Sequence, residues 1–175
     1  VWLLAVSGVA LLVMPAVAAV AVLDGRVPTV VYGAEYAGPT GLVALLAIAS
    51  WFSVIASSCG ALFWGVGRPD LDRIAMLIRL AAMIAVGVPA TARWGAVGFS
   101  AAFAIAHGVC AVASLLFALR VVGATAGDVI RTLLPSIGCG ALVAMVSLLA
   151  LRIAEGRGWT GPTPVVIVLA FAAWT

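Results

Sequence analysis

Long apolar runs broken by single charges set the pattern of this chain. From Val1 to Leu23 no charged side chain occurs, and the run from Tyr36 to Gly67 is longer still. A third stretch, from about Asp72 to Ala92, carries Arg79 inside it. Trp94 to Leu119, Thr132 to Leu151 and Gly158 to Thr175 complete the series. A bilayer core of about 30 Å is crossed by a helix of about 20 apolar residues. In lipid a helix satisfies its backbone polar groups internally, which open strands and irregular segments cannot do. The pattern therefore predicts an all-α, polytopic transmembrane helical bundle of about six spans.

The intervening segments are short and carry turn residues. Asp24-Gly25-Arg26 follows the first run, and Pro28, Gly33, Gly38 and Pro39 shape the loop after it. Gly67-Arg68-Pro69-Asp70 separates the second and third runs. Pro69 suits the first position of a helix, and Asp70 or Asp72 is expected to cap the exposed amides there. Pro89 and Gly95 are expected to bracket a tight turn between the third and fourth spans. Gly123 to Gly127 and Gly156 to Pro164 form the last two connections.

Composition turns this pattern into an exclusion. Of 175 residues, 66% are hydrophobic and only 9% are charged, against about 25% charged in ordinary soluble domains. A soluble monomer of this size could not hide that much apolar surface, and neither disorder nor a fibrous repeat fits so hydrophobic a sequence. The formal net charge is +3, which could suggest nucleic acid as a partner. All nine basic residues are arginines standing singly between apolar runs, so they form no basic patch and no nucleic-acid partner is expected. They are better read as topology determinants. Arg68, Arg73, Arg79, Arg120 and Arg131 fall on one side of alternating spans, and Arg26, Arg93, Arg152 and Arg157 on the other. That small excess places the Arg68 to Arg73 loop in the cytoplasm, with Val1 starting on the same side. The chain opens and closes inside apolar runs, without an initiator Met, a basic leader or a small-residue cleavage site. The expectation is a piece of a longer, transporter-sized chain.

Few residues offer chemistry. Cys59, Cys110 and Cys139 sit singly in apolar stretches and read as small buried hydrophobes. Asp70-Leu71-Asp72 has the spacing of a divalent-metal ligand pair, but no second acidic cluster exists to complete the oxygen set, so a helix start flanked by Arg68 and Arg73 is favoured. His107 lies near the middle of the fourth span with Cys110 on the same face. Two ligands do not make a zinc site, and a neutral His bonded across a helix interface is weighed against a proton relay. Arg79, about two turns into the third span, either snorkels to the nearby surface or faces a wet cavity where an anionic lipid headgroup could meet it. Arg79 and His107 are thus the candidate cavity or portal residues. Ser57-Ser58-Cys59-Gly60-Ala61 favours close helix packing. No nucleophile with a base, phosphate loop or paired catalytic carboxylates appear, so neither an enzyme nor a cofactor or metal site is expected.

Three stretches carry a resemblance. Val27-Pro28-Thr29-Val30-Val31-Tyr32-Gly33-Ala34-Glu35-Tyr36-Ala37-Gly38-Pro39 resembles a motif of polysaccharide flippases, in which an apolar helix end leads through a glycine turn and an aromatic to a helix of small residues. Gly65-Val66-Gly67-Arg68-Pro69 resembles that family's next cytoplasmic turn, and Val88-Pro89-Ala90-Thr91-Ala92-Arg93-Trp94-Gly95-Ala96-Val97-Gly98 its following Pro, turn and Gly-Ala-x-Gly helix start. They occur in family order over roughly residues 1–122. The chain is thus similar to the C-terminal part of an oligosaccharide flippase of the multidrug, oligosaccharidyl-lipid and polysaccharide exporter superfamily. The resemblance implies a MATE-like C-terminal lobe over 1–122 (four spans), with two additional C-terminal spans, truncated, over 123–175. It also implies a bacterial inner-membrane transporter that flips a polyprenyl-pyrophosphate-linked oligosaccharide for surface polysaccharide synthesis. The partners it implies are that lipid-linked substrate, membrane lipids and an N-terminal lobe of the same chain. A drug or lipid II exporter of the superfamily would share the fold. A membrane glycosyltransferase or ligase would need a large extracytoplasmic loop, and the connections are too short to hold one.

Overall fold

The computed structural model describes residues 2–24, 26–33, 35 and 41–156, and these residues are helical with short turns between. The elements are α1 (Trp2–Leu23), α2 (Arg26–Tyr32), α3 (Leu42–Gly65), α4 (Pro69–Val122) and α5 (Ala126–Gly156). Four helices are long and apolar enough to cross a membrane: Trp2–Leu23, Leu42–Gly65, Pro69–Val122 and Ala126–Ile153. The sixth apolar run, Gly158 to Thr175, and the start of the second, residues 36–40, lie outside the described residues.

The 54 residues of α4 do not form one rod. A straight helix of that length would be about 80 Å long, far more than a bilayer core. Gly95 breaks it, with φ 58° and ψ −134°, a conformation that only glycine adopts without strain. The chain then doubles back. A Cβ placed on Gly98 would run into the Ala90 carbonyl, and one placed on Gly87 would lie 3.8 Å from the Ala102 Cβ. Residues 87 and 102 would be about 22 Å apart along a straight helix. The expected third and fourth spans are therefore two antiparallel arms, 69–94 and 96–122, of one hairpin. Pro89 does not bracket the turn as expected. It sits inside the first arm, and the reversal falls wholly on Gly95.

Helix directions support this reading. The Trp2 indole N–H donates to the Ser58 carbonyl at 3.2 Å, tying the start of α1 to the end of α3. Those two helices are antiparallel. Against α5, Val6 and Ala10 of α1 meet Val129 and Leu133 at one end. Ala18, Ala19 and Leu23 meet Val143 and Leu151 at the other. So α1 and α5 run parallel. With α3 opposed to α1, α5 takes the direction of α1 only if α4 crosses twice. Arg68, Asp70 and Asp128 consequently gather at one end of the bundle, and Asp24, Arg93 and Arg152 at the other.

Small residues let these helices approach closely, as expected where lipid gives little drive for association. Gly140 of α5 lies under Met14: a Cβ there would stand 2.5 Å from the Met14 Cγ. The stretch 57–61 behaves as expected, since Cys59 and Gly60 are buried and Gly60 faces Asp72 at the foot of α4. The central core joins Val6, Ala10, Ile55, Ala111, Val129 and Leu133 from four elements. Cys59, Phe63 and Ala118 extend it between α3 and the second arm of α4.

Three other details differ from the expectations. The loop after Arg26 contains α2, with Pro28 in its first turn, where a missing N–H costs nothing. Pro69 opens α4, but no side chain caps that helix. Asp70 instead pairs with Arg68 at 3.2 Å on the surface, and Asp72 accepts the Trp64 indole N–H at 3.2 Å. Finally, α5 begins before Thr132 and runs past Leu151, because charged residues end an apolar run without ending a helix. Its start is fixed by a reciprocal cap: the Thr125 hydroxyl donates to Asp128 Oδ2 at 2.7 Å, and the Asp128 amide donates back to Thr125 Oγ1 at 3.3 Å.

Candidate functional site

The hairpin carries the candidate site. Its first arm presents Arg73, Met76, Leu77, Leu80 and Met83 at helical spacing, with Arg79 among them. Its second arm presents Phe103, Ala106 and His107. Together they line a groove of about 750 Å³. The two residues singled out in the sequence, Arg79 and His107, thus come from different arms to the same cavity. They do so because the reversal at Gly95 sets the middle of one arm beside the middle of the other. Along α4 Arg73 lies about 6 Å and Arg79 about 15 Å from the start of the helix.

His107 is held by its own helix. Its Nδ1 lies 2.9 Å from the Phe103 carbonyl oxygen. A carbonyl only accepts, so Nδ1 carries the hydrogen and Nε2 remains the free nitrogen. The Phe103 ring packs against the imidazole with centroids 4.1 Å apart and planes tilted by 44°, and Phe99 stacks on Phe103 at 6.1 Å. His107 is only 8% exposed, so two aromatic rings and a backbone bond fix its place in the wall. The hydrogen bond expected across a helix interface is instead made within the helix.

Around this pair the charges are few. Arg79 and Asp72 lie within electrostatic reach of Cys110, one turn beyond His107. Asp72 is engaged by Trp64, as above. Helices α1 and α3 contain no charged side chain at all. The groove therefore combines two guanidinium groups, one imidazole and apolar walls. Such a lining can hold a phosphate-bearing headgroup through charge-assisted hydrogen bonds while hydrocarbon lies along leucine and methionine.

Among the described residues no three His, Cys, Asp or Glu side chains gather to hold a metal ion. Asp70 and Asp72, the pair with metal-ligand spacing, point to different partners. Cys59 and Cys110 are buried free thiols, and Cys139 is half-buried. A second groove of about 570 Å³, walled by Phe52, Ile105, Gly108, Val109, Val112 and Leu116 among others, is almost wholly apolar and offers no recognition chemistry. The sequence marks Arg73 only as a surface determinant and gives no sign of Phe103. The helical offset of Arg73 from Arg79 was the available signal for the first, and the four-residue step from Phe103 to His107 for the second.

Compared with known protein families, characterised proteins and solved structures, the chain matches none of them.

Proposed function

We propose that the chain belongs to a transporter that flips a polyprenyl-pyrophosphate-linked oligosaccharide across the bacterial inner membrane. The observation that carries this reading is the groove in the α4 hairpin, which Arg79 and His107 line from opposite arms within apolar helices. A charge placed there costs several kcal/mol unless it faces a partner or water, and it recurs where a charged cargo has to pass. The cargo poses the complementary problem, since its pyrophosphate and sugars cannot cross hydrocarbon unaided. A groove with a cationic lining shields the headgroup while the polyprenyl tail stays in lipid.

The resemblance of residues 27–39, 65–69 and 88–98 to flippase motifs supports the same reading. So do the short connections, which leave no room for an extracytoplasmic catalytic domain. On this reading the Arg68 end of the bundle is cytoplasmic, in line with its small excess of arginines. The hairpin is one wall of a cavity whose opposite wall is a second lobe, and rocking of the two lobes exposes the cavity alternately on either face.

The test is complementation. The full-length protein is expected to restore surface polysaccharide in a bacterial strain that lacks its own flippase, and Arg79→Gln to lose that ability while still reaching the membrane. Failure of the unaltered protein, present in the membrane at normal level, would overturn the proposal.

A further inference from the structure

We infer that the groove between the arms of the α4 hairpin is a binding site for an anionic membrane phospholipid, gripped by Arg73 and Arg79. The site stands on its own geometry and holds whether or not the chain moves a glycan.

Three observations carry it. First, the groove is graded along α4. Arg73 lies about 9 Å nearer the Arg68 end than Arg79, with Met76, Leu77, Leu80 and Met83 alongside. A phospholipid presents the matching gradient, one phosphate at the interface and two acyl chains below it. Arg79 snorkels toward that phosphate with its aliphatic stem in the groove. Second, charge complementarity favours an anion. Arg73 and Arg79 face the groove from the first arm, and among the described residues no carboxylate lines it. Asp72, the nearest acidic residue on that arm, is held by Trp64 on the α3 side. Third, Nδ1 of His107 is committed to the Phe103 carbonyl, which leaves Nε2 as the remaining polar atom of the ring in the groove wall.

The probe is spin-labelled phosphatidylglycerol in phosphatidylcholine bilayers containing the full-length protein, with spin-labelled phosphatidylcholine as the reference. The motionally restricted fraction of each label is read at neutral pH. The expected result is an about fivefold preference for phosphatidylglycerol. Arg79→Gln is expected to remove most of the preference, and Arg79→Lys to keep part of it. Arg93→Gln, at the opposite end of the bundle, serves as a charge-matched control with no expected effect. Retained helical circular dichroism shows that each variant is folded. Inorganic phosphate at millimolar concentration is added to distinguish the source, and displacement of the labelled lipid by it would overturn the assignment to a lipid in favour of a free anion. Equal preference in the Arg79→Gln and unaltered proteins would overturn the inference. Restored glycan export alongside a negative lipid result would separate this site from the flippase reading.

Discussion

The Asp24 carboxylate, just past the end of α1, accepts the backbone amide of Ala44 in the first turn of α3 at 3.0 Å. Its other oxygen accepts the Gly41 amide. Gly41 is the residue before α3, has φ 94° and offers no side chain of its own to cap the helix. One helix thus caps the next across the first connection, and the negative carboxylate sits where the dipole of α3 is positive.

Asp24→Ala is expected to lower the stability of the purified protein by about 1–2 kcal/mol, because the Gly41 and Ala44 amides lose their partner. Asp24→Asn should retain part of the effect through its amide oxygen. Thermal unfolding in detergent, followed by helical circular dichroism, reads both. Equal midpoints for the Ala variant and the unaltered protein would show the cap to be immaterial.

Single cysteines placed in the turns after α3 and after α4, at Gly67 and Ala124, are expected to react with a membrane-impermeant maleimide from the same side of the bilayer. A cysteine at Arg93 should react from the other side. A helix α4 that crossed only once would put positions 67 and 124 on opposite sides, so the labelling pattern decides between the two.

The tip of the hairpin tolerates no side chain at two positions. Gly98→Ala would drive a Cβ into the Ala90 carbonyl, and backbone cannot rotate aside as a side chain can. Gly95→Ala would force a residue with a Cβ to φ 58°, a strain of about 1–3 kcal/mol. Both variants are expected to lower the melting temperature and the yield of folded protein. Gly138→Ala, with nothing near the added methyl group, is the control and should be neutral or slightly stabilising through helix propensity.

Where α1 and α5 cross, Met14 and Gly140 should show measurable coupling. Gly140→Ala is expected to cost about 1–3 kcal/mol by overpacking against Met14. Met14→Ala in the same protein should recover part of that loss, although alone it removes packing. A double-mutant cycle reads the interaction, and additive effects would show that the two helices do not rely on this contact.

Much of the helical framework is legible in the sequence, for a physical reason. Hydrocarbon permits few backbone structures, so an apolar run of sufficient length leaves little choice, and α1, α3 and the two arms of α4 fall on the runs that predict them. Their ends are less legible. At Pro89 the residue type suggests a break, yet the helix absorbs it, and the reversal waits for Gly95, where a conformation with positive φ is needed. In α5 the charges of Asp128, Arg131 and Arg152 end the apolar run but remain inside the helix, since hydrogen bonding along a helix is indifferent to them once side chains reach the surface. Asp24 is invisible as a cap because its partner helix lies beyond a loop. Asp70 and Asp72 are in the right place for capping, but Arg68 and Trp64 offer them better partners. Arg79 and His107 can each be picked out as ionisable residues within apolar runs, whereas their sharing one groove depends on the register of the hairpin, which no local pattern encodes.

The reversal at Gly95 also has a consequence for how the protein is made. The two arms are joined with no spare residues, so the depth and register of one arm fix those of the other. The first arm carries Arg73 and Arg79, which weaken its own partition into hydrocarbon, and the more uniformly apolar second arm follows it out of the ribosome. The second arm therefore helps to hold the first in the membrane, and a residue that blocks closure of the tip removes that help.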